Sequence, residues 1–343
     1  MKALKYILFL LLIIIIGLAM YIAVQPNEFN FSRSKIIKAP TPVVFNKVND
    51  FKNWPSFSPW IEQEPNATLT YGDTTSGVNG NYAWNGEILG EGSMKTTAVE
   101  ENKSISQHIT FIKPFESESD INWTFETTNE GTKVTWGMNG KQDFMTKMYT
   151  TFAGSIEENT APDFERGLYK LDSIVTADMK KYSIKIDGIT QHGGGFYLYN
   201  TTSCKTPNLK AKMQEMIPKV REYAIKNGVK IAGAPFVNYI KWDEENNAVI
   251  FSCCIPTTER VITAPESDIL TGQLLPFNAV KTTLKGDYKN LKEAWDTTMD
   301  YIPENNMQIV KEGPMLEAYQ IDPMNTPNPA DWVTEIYIAV KRP

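Results

Sequence analysis

From Tyr6 to Val24 the chain has no charged side chain and is mostly leucine and isoleucine. A helix rises about 1.5 Å per residue, so this run would be roughly 28 Å long. That is close to the ~30 Å hydrocarbon core of a bilayer. Lys2 and Lys5 stand before the run, and Arg33, Lys35 and Lys38 follow it. Cleaved signal sequences have a shorter apolar part ending in a small-x-small site. Residues 1–24 therefore read as an uncleaved transmembrane signal anchor, in the membrane over residues 6–24. A cleaved signal is the competing reading. The two leading lysines place the N-terminus in the cytoplasm and the globular part on the extracytoplasmic side, as a single-pass protein.

After a polar linker, residues 25–32, the pattern changes to period two. Alternation at Ser34 to Ala39, Ser93 to Val99, Ser104 to Phe111, Ser119 to Glu126 and Lys133 to Met138 predicts a meandering antiparallel sheet. Thr41-Pro42 opens a helix, since threonine caps well and proline suits the first turn. Phe164, Leu168, Leu171 and Val175 recur in steps of four, three and four, which predicts an amphipathic helix over Asp163 to Val175. Met145 to Glu158 reads as an extra helical segment without an evident role.

Thr176 to Lys181 is a polar junction, and Tyr182 to Ile189 alternates as a new strand. The glycine run after His192 lacks the spacing of a phosphate loop and reads as a turn. Thr206-Pro207 opens a helix with Leu209, Met213, Ile217 and Val220 inward, closed by Asn227-Gly228. A later helix turns Leu291, Trp295 and Ile302 inward. Gly233 to Asp243 parallels Gly313 to Asp322, an internal repeat.

The chain ends in two strands, Met315 to Ile321 and Asp331 to Val340. Side chains alternate between faces. Trp332, Thr334, Ile336, Ile338 and Val340 form a core face. Val333, Glu335, Tyr337 and Ala339 form the other. Met315, Glu317, Tyr319 and Ile321 share a face in the first strand. If the strands pair with those faces together, two carboxylates and two phenols line one pocket. Two solvated faces of an antiparallel sheet are the plain alternative. The repeat's counterpart of Glu335 falls within Ile250 to Ile255, which has no carboxylate.

Composition narrows the field. The chain has 343 residues and a net charge of −6, a length for two or three domains. An acidic chain without a basic run argues against nucleic-acid binding. Cys204, Cys253 and Cys254 form no disulfide framework and no metal spacing, and His108 and His192 lie far apart. No cofactor or metal is expected, and no Ser-His-Asp or Cys-His set is visible.

Two resemblances follow from these residues. Ala39-Pro40, the helix after it, Asp50, Trp54-Pro55, Pro59-Trp60, the Gly80 to Glu87 hairpin and Gly131 to Trp136 resemble the SRPBCC superfamily, the START-like or polyketide-cyclase-like helix-grip fold. That resemblance spans about Phe31 to Val175. Gly313-Pro314, Glu317, Tyr319, Asp322-Pro323 and Thr334 to Ile338, with Lys285 to Tyr288 leading to Trp295, resemble the GyrI-like effector-binding family over about Tyr182 to Pro343. The implied fold class is α+β: a transmembrane helix, a helix-grip domain at 33–176, and a pseudo-twofold β-α-β-β duplication at 181–343. Glu335 matches the second family's pocket glutamate.

The expected function is membrane-anchored binding of small hydrophobic or cationic aromatic ligands by two domains. Trp84, Trp123 and Phe164 are expected to wall a cavity in the first. Glu335, Glu317, Tyr319, Tyr337 and Trp295 are expected to line the site in the second. The alternative is a hydrolase of small electrophiles with Glu335 as catalytic base.

Overall fold

The structure, a computed structural model, describes residues 2–341. The chain divides into two compact units between Ala177 and Asp178.

The first unit opens with α1 (Lys2–Ala23). Its segment Leu4–Ala23, 20 residues with mean hydropathy 2.8, is long and apolar enough to cross a membrane, a test that a signal sequence also passes. Then come β1 (Glu28–Ile37), α2 (Thr41–Asn49), α3 (Pro59–Gln63), β2 (Thr68–Tyr71), β3 (Asn81–Asn85), β4 (Glu91–Glu100), β5 (Ser104–Lys113), β6 (Ser117–Thr128), β7 (Gly131–Lys141), α4 (Phe144–Ala153) and α5 (Ile156–Asp178). The strands form a seven-stranded sheet in the order β1-β7-β6-β5-β4-β3-β2, antiparallel throughout. Burial alternates residue by residue along β6 and β7, with Ile121, Trp123, Phe125, Val134 and Trp136 inward. Trp136 stacks on Trp123 at 4.3 Å on one side and on Phe164 of α5 at 4.2 Å on the other. Gly167 makes that approach possible, because a Cβ there would lie 2.6 Å from the Trp136 ring.

The long helix starts earlier than expected and runs through Pro162. The expected segment Met145 to Glu158 is split between α4 and the first turn of α5. Gly154, at φ 90°, makes the break, a backbone conformation that favours glycine.

The second unit contains β8 (Ser183–His192), β9 (Gly195–Lys205), α6 (Leu209–Lys226), β10 (Phe236–Asp243), β11 (Ala248–Thr257), β12 (Leu270–Leu274), β13 (Phe277–Lys285), α7 (Leu291–Glu304), β14 (Gln308–Ile309), β15 (Met315–Ile321) and β16 (Val333–Lys341). The sheet order is β12-β9-β11-β10-β15-β16-β13-β8, with β14 paired to β16. This order reads the same from both ends. β9-α6-β10-β11 and β13-α7-β15-β16 are the two β-α-β-β modules, and β10 meets β15 at the centre. The first strand of the unit, β8, does not join the module that follows it. It lies at the far edge beside β13, while β12 edges the first module.

Candidate functional site

Two features of the structure concern ligands, and each lies within one unit. The first unit holds a cavity of about 1050 Å³. Its sheet wall comes from Tyr82 and Trp84 on β3, Ile109 and Phe111 on β5, Ile121 on β6 and Met138 on β7. Trp60 and Ile61 of α3, and Ile156 and Thr160 of α5, close one side. Met145, Met148, Tyr149 and Phe152 of α4 close the other. The extra helical segment is thus a wall of the cavity. Its apolar residues at 145, 149 and 152 follow the helical spacing that could have shown this in the sequence.

The position of the cavity corrects an expectation. Trp84 lines it, but Trp123 and Phe164 do not: both are fully buried in the aromatic stack on Trp136. Trp54 packs edge-on against Trp123 and Trp136, so large rings fill the space between the sheet and the middle of α5. The cavity lies instead toward the start of α5, at Ile156 and Thr160. Trp60 joins the two regions, edge-on to Trp136 and donating its indole N–H to Asp163 at 2.9 Å. Burial raises the Asp163 carboxyl above its ordinary value.

In the second unit the strand register decides which residues meet. β15 and β16 do pair, with Ala318 opposite Glu335 and Glu317 opposite Ile336. Cross-strand partners share a face. Glu335 and Tyr337 therefore share one face with Leu316 and Ala318, while Glu317 and Tyr319 lie on the other with Ile336. The expected pocket of two carboxylates and two phenols does not form, and the two glutamates cannot share a proton.

Glu317 is buried under the helices. Trp295 of α7 donates to its carboxylate at 2.7 Å, Tyr239 donates at 3.3 Å, and Tyr319 donates a short bond. The surrounding core contains Met216 of α6, Val237, Phe251 and Cys253. Burial raises the Glu317 carboxyl above its ordinary value, against the three donors that favour the charged form.

Glu335 lies on the face without helices, where Phe236, Cys254 and Leu316 are buried beside Tyr197, Phe277 and Tyr337. Lys281 of β13 pairs with it at 2.6 Å, Tyr337 donates at 2.7 Å and Gln320 at 2.8 Å. Burial pushes its carboxyl up, but the bonds from Lys281 and Tyr337 outweigh it and hold the group below its ordinary value. His192 stacks on Phe277 at 4.9 Å and meets Tyr337 edge-on at 5.0 Å. Sequence reasoning missed Lys281, Gln320, His192 and Phe277. Lys281 and Phe277 lie on β13, His192 on β8 and Gln320 on β15, and only the pairing of β13 with β16 and β8, and of β15 with β16, brings them together. The counterpart of Glu335 in the first module is Ser252, opposite Asn238 as Glu335 is opposite Ala318.

No cluster of His, Cys, Asp or Glu among the described residues could hold a metal ion. Comparison with curated proteins gives no match. Among solved structures, the C-terminal domain of EcmrR is 17% identical with a TM-score of 0.41, covering 47% of this chain and 99% of that one. A Mesorhizobium loti protein is 14% identical with a TM-score of 0.34, covering 43% and 98%. A Staphylococcus aureus protein of unknown function is 11% identical with a TM-score of 0.36, covering 45% and 97%. These likenesses are too distant to bear on function. The family comparison is direct. Residues 37–168 match the polyketide cyclase / dehydrase and lipid transport family, and residues 196–341 match the GyrI-like small molecule binding domain. The chain carries a polyketide cyclase-like (SRPBCC-like) domain followed by a GyrI-like small molecule binding domain.

Proposed function

We propose that this protein is a membrane-anchored binder of small molecules, held by α1, with an apolar ligand in the first unit and an aromatic ligand on the Glu335 face of the second. The cavity of about 1050 Å³ carries the reading. Ligand pockets of roughly 300–1,000 Å³ with apolar walls and few polar groups are the usual form of small-molecule sites. Thr160→Trp places a large ring into the cavity from α5. Titration of the full chain in detergent with an apolar fluorescent dye checks this. Saturable binding to the wild type that Thr160→Trp abolishes is expected. Dye binding that is absent, or that survives the substitution unchanged, rejects the reading.

Support for anchoring comes from the way α1 is joined to the fold. Ile22 is 2% exposed, unlike the residues before it. The buried ammonium of Lys147 donates to the carbonyl of Ala23 at 3.3 Å and to Asn27. A segment removed after export has no use for such ties.

In the second unit Lys281 already neutralises Glu335, so a cationic guest must compete with it. Lys281→Met is expected to tighten binding of cationic aromatic dyes by about tenfold, or ~1.4 kcal/mol. Glu335→Gln is expected to weaken it, with no loss of turnover. Retained binding with collapsed hydrolysis of a strained electrophile in Glu335→Gln would instead identify a hydrolase with Glu335 as its base. Affinity and product formation measured on the same variants separate the two.

A further inference from the structure

The helices α6 and α7 hold equivalent places in the two modules of the second unit, and both lie on the Glu317 face of its sheet. Their inward patterns are alike, with Met216, Val220 and Ala224 buried on one and Ala294, Thr298 and Ile302 on the other. Their charges are opposite. α6 carries five basic and two acidic side chains, and α7 one basic and four acidic. The repeat has kept its packing and divided its charge.

This division does not serve the helices themselves. A helix favours acidic groups in its first turn and basic groups in its last. Lys210 and Lys212 stand in the first turn of α6, which has no acidic residue. Asp300 and Glu304 stand at the end of α7, whose last turn has no basic residue. Lys212 pairs with Glu215. Lys210, Asp300 and Glu304 are exposed and have no ion-pair partner among the described residues. These charges work against their own helices, so a group outside the unit is needed to balance them.

We infer that the helix face of the second unit binds a second copy of this chain, α6 of each copy against α7 of the other. β10 and β15 are antiparallel, so the equivalent helices leading into them are antiparallel too. A twofold axis parallel to the helices, above the groove between them, places α6 of one copy over α7 of the next. The contact then occurs twice, as a closed twofold interface requires. It sets the Lys210 end of α6 beside the Asp300 and Glu304 end of α7. A twofold axis across the helices would set α6 over α6 and α7 over α7, and opposed like charges cost free energy. Ile225 of α6 and Met299 of α7 are exposed and add apolar area. The face carrying Glu335 stays open in this arrangement.

Sedimentation of the full chain in detergent, over a range of protein concentrations, tests this. The wild type is expected to dimerise, and more weakly as salt screens the exposed charges. Lys210→Glu with Lys212→Glu makes the start of α6 acidic. Asp300→Lys with Glu304→Lys makes the end of α7 basic. Each double variant is expected to weaken its own dimer by about tenfold or more. Its thermal midpoint should be unchanged or higher, because each corrects an unfavourable charge at a helix end. The two double variants mixed together are expected to associate with each other more tightly than either does with itself, since acidic α6 then meets basic α7 and acidic α7 meets basic α6. A wild type that stays monomeric overturns the proposal. A dimer that neither double variant weakens also overturns it, since the contact then lies elsewhere. So does a mixture that associates no better than its components.

Discussion

Trp136→Ala is expected to remove about 3–5 kcal/mol from the first unit, the cost of truncating a fully buried large aromatic. Trp136 is the middle ring of a three-ring stack, between Trp123 and Phe164, and it meets Trp54 and Trp60 edge-on. Gly167 lies against it, so alanine leaves a hole facing a residue that has no side chain to fill it. Set against a total stability of roughly 5–15 kcal/mol, such a loss leaves the unit marginal or unfolded. Trp136→Phe keeps a ring and removes an indole N–H that has no partner in the buried core, so its cost should be much smaller. Denaturant unfolding followed by tryptophan emission measures both. Equal losses for the two variants would mean that the stack does not hold this core.

The second large effect concerns Glu317. Glu317→Ala leaves the indole of Trp295 and the buried hydroxyls of Tyr239 and Tyr319 without their acceptor. Losing one partner of such a buried set costs about 3–5 kcal/mol. Glu317→Gln keeps an acceptor oxygen and removes the charge, so it should be near neutral or stabilising.

The pH dependence has a definite sign. Burial raises the Glu317 carboxyl above its ordinary value of 4.5, so the folded state holds the proton to higher pH than the unfolded state. The stability linked to it is fully present below 4.5 and is lost as pH rises through the raised folded value. Glu335, held below its ordinary value, works the other way: its stability is present above the unfolded value and lost as pH falls through the folded one. Thermal midpoints of Glu317→Gln and wild type, compared from pH 4 upward, isolate the first effect. A wild-type curve that parallels Glu317→Gln throughout would mean that Glu317 titrates alike in both states.

Much of the architecture was legible in the chain. The uncharged run before Gln25, the period-two segments of the first sheet, the helix carrying Phe164, Leu168 and Leu171, and the repeat around Gly233 and Gly313 all depend on local pattern. The period-two segments of β6 and β7 and the helix face also agree with the burial seen in the structure. Which face of β16 is core was legible too, because Thr334, Ile336 and Ile338 recur at the pleat's own period and are buried.

What the sequence could not decide was how one strand's faces meet the next strand's. Alternation groups Glu317 with Tyr319 and Glu335 with Tyr337, but it leaves the register between the two strands open. A slip of one residue exchanges every side chain between faces. Tertiary pairing put Ala318, not Glu317, opposite Glu335, so one glutamate lies under the helices and the other against Lys281. The same holds for the cavity. Trp84, Trp123 and Phe164 are all inward-facing by pattern, and only three-dimensional packing determines which inward rings touch one another and which face open space. Local periodicity records the direction of a side chain from its own backbone. Long-range packing chooses its neighbours, and the chemistry of both sites depends on those neighbours.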